Sequence, residues 1–276
     1  MQNMKVSAII PTYNRPETTI RAVKSILAQT HPCDEIIIID DCSTDDSLKA
    51  IKTFIKENKL THVETFKLPK NLGVSGARNE GVRQASNPWL AFLDSDDEWH
   101  PLKLEKQLQS LKESDCLISH THENWVRNGN PVNQKGKHKK YGGFVYDKCI
   151  DMCFIGPSTS IIHKDIFNNV GLFDESFTVC EDYDLWLRIT PEYEVNYIDE
   201  ALLIKHGGHD DQLSTAFKGM DYWRALALKK QLNNPLLNPT SLILTKEKLE
   251  EKVRILIQGC LKHNNTPLLE KIQKNL

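Results

Sequence analysis

The sequence has no long hydrophobic run and no surplus of charge. No stretch approaches the roughly 18 apolar residues of a membrane-spanning helix, and the apolar run near the N-terminus is too short for a signal-peptide core. The 35 lysines and arginines nearly balance the 37 aspartates and glutamates, so the overall field gives no reason to expect a nucleic-acid partner. We therefore expect a soluble chain, for which only peripheral attachment to a membrane stays open.

Paired cysteines are also absent. Seven cysteines, an odd number, are scattered along the 276 residues, and no two of them form a CxxC pair. This pattern argues against a disulfide framework and a structural zinc site, and it favours a reducing, cytoplasmic compartment. Cys149 and Cys153 lie at helical spacing without further cysteine or histidine support, so both are predicted to be core residues.

The first hundred residues alternate short apolar runs with amphipathic patterns. This alternation is typical of βαβ units and predicts an α/β fold with a mostly parallel central sheet and flanking helices. Helical periodicity follows Pro16 and Ser43, and residues 71–85 predict a loop that enters a helix, with glycines for close packing or close ligand approach. The predicted buried strands are residues 6–10, 35–39, 63–67 and 89–93.

Beyond about residue 115 the pattern changes. Asn128-Gly129 predicts a hairpin, the basic stretch 133–143 predicts a mobile loop, and residues 194–206 predict two short strands. Helical patterns dominate the last sixty or so residues. The predicted division is a sheet domain at 1–214, made of halves 1–115 and 116–214, and a C-terminal helical extension at 215–276.

The strongest chemical signal is the acidic run Asp94-Ser95-Asp96-Asp97, which directly follows a predicted strand. Ligands of open α/β sheets bind at the carboxyl ends of strands. Carboxylate oxygens suit Mg²⁺ or Mn²⁺, which such sites share with the phosphates of a substrate. The alternative is a solvated acidic turn that caps the next helix.

Two other strand ends point to the same edge of the sheet. Asp40 and Asp41 close the predicted strand IIIID, although either could instead cap the helix that follows Ser43. The first strand ends in the turn PTYNRP, in which Tyr13 could stack on a base. Acids that converge at one edge are costly unless something is bound, so we predict a ligand site there.

Five segments occur in an informative order: PTYNRP, IIIIDD, NLGVSGARNEG, FLDSDD and CEDYDLWLRI. Together they resemble the ordered motifs of family 2 glycosyltransferases, which have the GT-A fold. The resemblance implies a metal-dependent enzyme, with Mn²⁺ or Mg²⁺ as cofactor, that transfers a sugar from a nucleotide-diphosphate sugar to an acceptor hydroxyl with inversion. The implied acceptor is a glycan or a lipid-linked intermediate of cell-surface polysaccharide synthesis.

The resemblance also implies roles for individual residues. Asp96 matches the metal ligand of the family, and a histidine on a later loop is a second candidate, with His209 favoured over His206. UDP is the favoured nucleotide, while guanosine and deoxythymidine nucleotides stay open. The residues implied around the nucleotide sugar are Pro11, Thr12, Tyr13, Asn14, Asp41, Arg78, Asp94 and Ser95.

Asp182 matches the catalytic base of the family, which takes the proton of the acceptor hydroxyl during its attack. Glu181 and Asp184 are competing candidates, and the structural alternative for Asp182 is a helix N-cap. The alternative for Arg78 is a surface salt bridge. The basic run 135–140 could contact a phosphorylated or lipid-linked acceptor, or could simply be a solvated loop.

Two other functions compete with sugar transfer. A sugar nucleotidyltransferase has a related architecture, but its glycine-rich phosphate loop after strand one is replaced here by PTYNRP. A catalytically inactive binding or assembly partner of another transferase is the third possibility. The presence of Asp94, Asp96 and Asp182 argues against it. The sequence does not indicate the oligomeric state.

Overall fold

The computed structural model describes residues 4–134, 136–208 and 219–276 and has the predicted α/β architecture. The strands are β1 (Val6–Thr12), β2 (Glu35–Asp40), β3 (Val63–Lys67), β4 (Trp89–Phe92), β5 (Glu98–Trp99), β6 (Ile118–Arg127), β7 (Asn130–Val132), β8 (Ile161–His163) and β9 (Asn196–Gly207). The helices are α1 (Pro16–Leu27), α2 (Ser47–Glu57), α3 (Gly73–Gln84), α4 (Lys103–Ser114), α5 (Tyr146–Cys149), α6 (Lys164–Val170), α7 (Glu181–Ile189), α8 (Met220–Gln231), α9 (Pro239–Lys262) and α10 (Thr266–Asn275).

The four N-terminal strands form the parallel part of the sheet, in the order β3-β2-β1-β4. Every residue of β1 is buried, as expected for a strand covered on both faces. Thr12 at the end of β1 is in register with Asp40 at the end of β2. The carboxyl ends of these strands therefore meet at one edge, as the sequence predicts.

The second part of the sheet is mixed. Strand β8 runs antiparallel to β4 and β6, β9 runs parallel to β6, and β5 pairs antiparallel with β9. The prediction of two short strands at 194–206 is wrong, because β9 is a single strand. Its register against β6 shifts between Thr121 and Asn124, and this irregularity absorbs the polar pair Asp199-Glu200 that interrupts the apolar pattern.

The hairpin predicted at Asn128-Gly129 is confirmed, since these residues join β6 and β7 with φ values of 49° and 78°. The prediction of a mobile loop at 133–143 is wrong for the later part of that range. Lys140 is buried and donates to the Glu123 carboxylate and the Phe154 carbonyl. Its ammonium is therefore inside the protein rather than in solvent.

The C-terminal helices pack on the sheet domain. Helix α8 contacts α7, and α9 contacts α8 and α5. Leu228, Leu249 and Leu256 belong to the same buried cluster as sheet residues such as Ile9. The domain boundary at 214 stays a prediction. No helix within the described ranges combines the length and the apolar character needed to cross a membrane.

Helix α3 lies unusually close to β1 at Gly81. A Cβ atom added to Gly81 would lie 2.3 Å from Cγ2 of the fully buried Ile9. We expect Gly81→Ala to destabilise the protein by about 1–3 kcal/mol, because this clash outweighs the roughly 1 kcal/mol gain in helix propensity. Chemical denaturation measures the effect.

Gly259 in α9 is the matched control, because an added Cβ there meets no atom within 4 Å. Gly259→Ala should therefore stabilise the protein by about 0.5–1 kcal/mol. Equal stabilisation by both substitutions would contradict the close packing of α3 on β1.

Candidate active site

The candidate site is a cavity of about 470 Å³ at the carboxyl edge of the parallel strands. The chain leaves β1, β2 and β4 at this edge, and the amide of Asp41 donates to the Thr12 carbonyl (2.8 Å), which holds two strand ends together. Helix α7 closes the opposite side through Glu181 and Asp182. The predicted site residues that line the cavity are Pro11, Thr12, Tyr13, Asp41, Arg78, Asp94, Ser95, Asp96 and Asp182.

Asn14 and His209 are the predicted site residues that the structure does not bring into this cavity. Asn14 takes a left-handed conformation (φ 52°), its amide donates to Ser43 Oγ (2.9 Å), and its side chain accepts from the Thr44 amide (2.8 Å). It therefore ties the turn after β1 to the turn after β2. His209 lies outside the described residues.

Tyr13 and Asp41 line the same cavity and are the residues implied for the base. The Asp41 carboxylate accepts from the amide of Leu72 (2.7 Å), just before α3. Burial raises the pKa of Asp41 above its usual value, although hydrogen bonds from the Leu72 and Gly73 amides oppose this change. Tyr13 is 42% exposed. A half-exposed ring beside a hydrogen-bonding carboxyl group suits a flat, polar ligand group such as a nucleobase.

Arg78 is a buried residue of α3 that bridges two acids. Its guanidinium donates to Asp94 Oδ1 (2.6 Å) and to Glu181 Oε1 (2.7 Å), and it lies over the Phe173 ring. Its side chain is 3% exposed, so the alternative of a surface salt bridge is wrong. Arg78 therefore holds Asp94, which follows β4, at a fixed distance from Glu181 of α7.

The acids of the run that follows β4 differ in their partners and in the direction of their pKa shifts. Burial alone would raise the pKa of Asp94, but the charge of Arg78 and its hydrogen bond outweigh burial and lower that pKa. Burial raises the pKa of Asp97 well above its usual range, and the charge of Asp96 adds to this effect. The Asp96 carboxylate pairs with Arg15 (3.1 Å) and is partly exposed at the cavity. Thus Asp94 and Asp96 are the acids positioned to face a ligand.

Asp182 lies in the first turn of α7, where a carboxylate is favoured by the helix dipole. The N-cap is Cys180, so the N-cap alternative for Asp182 is wrong. Asp182 Oδ1 accepts from the Tyr183 amide (2.7 Å), and Cys153 Sγ donates to Oδ2 (3.4 Å). Cys153 is half-buried. The prediction that it is merely a core residue therefore misses its contact with Asp182.

The competing acids of α7 have other partners. Glu181 is bound to Arg78, and burial together with the charge of Asp182 raises its pKa. Asp184 is fully buried, pairs with Arg188 (2.9 Å) and Lys230 (2.7 Å), and is not part of the cavity wall. Among the three candidates, Asp182 has the carboxylate best positioned to accept a proton from a ligand.

Two charged residues of the cavity, Arg15 and Lys205, are not among the predicted site residues, and His206, the less favoured of the two candidate histidines, also lines it. The His206 amide donates to Asp97 Oδ1 (3.1 Å), and its ring nitrogen Nε2 contacts Glu98 Oε1 (2.7 Å). Lys205 is the adjacent residue of β9. Arg15 stands inside PTYNRP, and its position directly after a strand could have identified it.

Within the described residues, no three His, Cys, Asp or Glu side chains form a ready metal-binding group. The cavity wall contains six carboxylate residues but only three residues with permanent positive charge: Arg15, Arg78 and Lys205. Hard carboxylate oxygens such as those of Asp96 are chemically suited to a divalent cation. A phosphate ligand would have to supply the other oxygens.

Comparison with known proteins identifies the family of this chain. The family model described as Glycosyl transferase family 2 matches residues 7–171. The chain is 34% identical over 192 residues to the putative teichuronic acid biosynthesis glycosyltransferase TuaG of Bacillus subtilis, covering 68% of this chain and 74% of that protein. It is 31% identical over 200 residues to the UDP-Glc:alpha-D-GlcNAc-diphosphoundecaprenol beta-1,3-glucosyltransferase WfgD of Escherichia coli, covering 72% and 75%.

A third relative is an uncharacterized glycosyltransferase of Rickettsia conorii, 35% identical over 208 residues. The match covers 73% of this chain, which spans only 33% of that protein. Among solved structures, S. aureus TarS 1-349 in complex with UDP-GlcNAc superposes with a TM-score of 0.73 at 23% identity, covering 92% of this chain and 73% of TarS. At this identity the similarity establishes the fold, and it agrees with the GT-A prediction.

Proposed function

Since the chain belongs to glycosyl transferase family 2, we propose that it transfers a sugar from a nucleotide-diphosphate sugar to an acceptor hydroxyl with inversion. One observation carries the proposal. A single cavity joins the turn after β1 and the acids that follow β2 and β4 with Asp182 of α7. A donor held at the strand ends would thus present its sugar to a carboxylate suited to proton abstraction.

The proposed donor is a UDP-sugar. WfgD of E. coli is named for UDP-Glc as its donor, and TarS was solved with UDP and with UDP-GlcNAc. In this chain Tyr13 and Asp41 would receive the base, with Thr12 beside them at the end of β1. Asp94 and Ser95, further along the same wall, would face the ribose and the sugar.

In the proposed reaction Asp182 takes the proton of the acceptor hydroxyl as its oxygen attacks the anomeric carbon. The bond between that carbon and the diphosphate breaks on the opposite face, so one displacement inverts the centre. Arg78 holds Asp94 and Glu181 in place, which fixes the distance between the donor side and α7. This positioning lowers the entropy cost of the reaction.

We also propose that the reaction depends on Mn²⁺ or Mg²⁺. A diphosphate would enter a cavity in which carboxylates already outnumber cations, so a divalent cation would offset the repulsion. Asp96 would hold the ion together with phosphate oxygens of the donor, and the ion would supply positive charge for the leaving diphosphate. His209 stays a second candidate ligand.

The proposed acceptor is a glycan or a lipid-linked sugar of cell-surface polysaccharide synthesis. TuaG is named for teichuronic acid biosynthesis, and the name of WfgD specifies a diphosphoundecaprenol acceptor. An acceptor of that kind would require a cytoplasmic enzyme that works at the inner face of the membrane. Lys140, the last residue of the basic run, would lie on the acceptor side, since it binds the Phe154 carbonyl next to Cys153, whose thiol contacts Asp182.

The competing functions fit the cavity less well. A nucleotidyltransferase must cradle a triphosphate, whereas the turn after β1 contains no glycine and is fixed by Asn14 to the neighbouring turn. An inactive assembly partner would not need Asp94, Asp96 and Asp182 around one cavity.

Isothermal titration with UDP, GDP and dTDP, with and without Mn²⁺, tests the proposal. We expect one nucleotide to bind in a Mn²⁺-dependent manner and Asp96→Ala to abolish that binding. Asp147→Ala, which alters an exposed aspartate paired with Lys148, is the control and should bind as the wild type does. Binding of no nucleotide under any condition would refute the transferase and favour the inactive partner.

A further inference from the structure

The three permanently cationic residues of the cavity have different surroundings. Arg78 is engaged by Asp94 and Glu181, and Arg15 is paired with Asp96. Lys205 lines the same cavity from β9, yet it forms no ion pair with any carboxylate among the described residues. Of these three side chains, Lys205 is therefore the one whose donors are most available to an anionic ligand.

Lys205 shares the cavity with acids that follow β4 and with Asp182 of α7. Burial alone would lower its pKa, but the charges of Glu123, Asp97, Asp94 and Asp182 outweigh burial and raise it. The ammonium group is therefore fully charged at neutral pH. Asp94 and Asp97 follow β4, whereas Asp182 belongs to α7, so the charge of Lys205 acts on both walls.

A buried ion pair supports Lys205 from behind. Glu123 on β6 accepts from Trp125 Nε1 (2.8 Å) and from Lys140 Nζ (3.2 Å), and Lys140 also donates to the Phe154 carbonyl (2.8 Å). Trp125 is the register partner of Lys205 across β6 and β9. Glu123 is thus a fixed negative charge that helps to raise the pKa of Lys205 without forming an ion pair with it in the described residues.

We propose that Lys205 binds the diphosphate of the donor and stabilises it as the leaving group, an inference that rests on the proposed function. The acceptor oxygen bonds to the anomeric carbon, and the bond from that carbon to the diphosphate oxygen breaks. The electron pair of that bond leaves with the nucleoside diphosphate, while Asp182 takes the acceptor proton. The ammonium of Lys205 donates to the oxygen on which negative charge develops.

The test compares UDP and UMP, which differ by the terminal phosphate. Titration in the presence of Mn²⁺ should show that Lys205→Met binds UDP about 10- to 100-fold more weakly, the effect of one charge-assisted hydrogen bond. Affinity for UMP should stay within about threefold of the wild type, since the lost contact is to the terminal phosphate. Lys205→Arg, which keeps the charge, should recover most of the affinity for UDP.

Lys106→Met is the matched control, because it removes the charge of a lysine that contacts β9 at the surface, through Glu200. It should bind both nucleotides as the wild type does. Unchanged binding of UDP by Lys205→Met, or equal weakening of UDP and UMP, would overturn the assignment of Lys205 while leaving the transferase proposal intact. Failure of the wild type to bind any nucleotide would instead refute the proposed function itself.

Discussion

Asp182→Asn should lower the rate of sugar transfer by about 10²- to 10⁴-fold, the usual contribution of a positioned general base. Asparagine keeps the shape and the hydrogen bond from the Tyr183 amide, but its amide cannot accept the acceptor proton. Because Asp182 would not contact the nucleotide, affinity for the nucleoside diphosphate should change by less than about twofold. Release of nucleoside diphosphate from the donor, with water or an acceptor as nucleophile, measures the rate.

The neighbouring acids provide the controls for this prediction. Asp184→Asn should lose stability, since it breaks buried contacts with Arg188 and Lys230, but the folded fraction should keep a turnover close to that of the wild type. Glu181→Gln keeps one hydrogen bond to Arg78 and should keep most of the activity. The assignment of the base to Asp182 would be wrong if Asp182→Asn stayed active while Glu181→Gln or Asp184→Asn lost 10²- to 10⁴-fold in rate.

Arg78→Met should destabilise the protein by about 3–5 kcal/mol, the cost of leaving buried charges without their partner. Both acceptors of the guanidinium, Asp94 and Glu181, are mostly shielded from solvent. Arg78→Lys should be intermediate, because one ammonium group cannot reproduce the two-pronged contact. The free energy of unfolding, obtained from urea or guanidinium denaturation, measures the loss.

The cost of Arg78→Met should depend on pH in a defined direction. In the wild type the pKa of Asp94 is lowered, so its stabilising contribution is complete above the ordinary aspartate pKa and is lost only as pH falls through the lower folded value. Without Arg78, burial should raise the pKa of Asp94, as it already raises that of Glu181. A raised folded pKa destabilises the variant as pH rises above it, and the variant regains this stability as pH falls. The difference in stability between the wild type and Arg78→Met should therefore become smaller as pH is lowered from 8 to 5.

Arg83→Met is the control for Arg78→Met on the same helix. Arg83 is half-exposed and pairs with Glu80 (2.9 Å) at the surface, so its removal should cost about 0–1 kcal/mol. A similar small loss for Arg78→Met would show that the bridge between Asp94 and Glu181 contributes little to stability.

The parallel half of the fold can be predicted from the sequence because its signals are local. The run of four isoleucines in β2 is too apolar for a strand with an exposed face, and helical patterns separate it from β1 and β3. The acids that follow β2 and β4 then meet at one edge through the parallel register alone. Chain order and strand direction are sufficient for this step.

The rest of the site depends on contacts that are distant in sequence. Arg78 and Glu181 are 103 positions apart, and nothing near Arg78 indicates which acid it binds. Lys205 follows an apolar run in which a lysine suggests an exposed edge, and only the pairing of β9 with β6 places it at the cavity. The motif predicts that Asn14 binds the nucleotide, but the left-handed turn directs its side chain to Thr44.

The pairing of β4 with β8 also affects how the protein is made. Strand β4 ends at Phe92 and its neighbour β8 begins at Ile161. Translation at ~5–20 residues per second would separate their synthesis by about 3 to 14 s. During that interval the parallel half has an open edge on one side of β4, with apolar residues and unpaired backbone groups. We therefore expect that slowing translation between these strands increases aggregation of the newly made protein, which sedimentation of the insoluble fraction would measure.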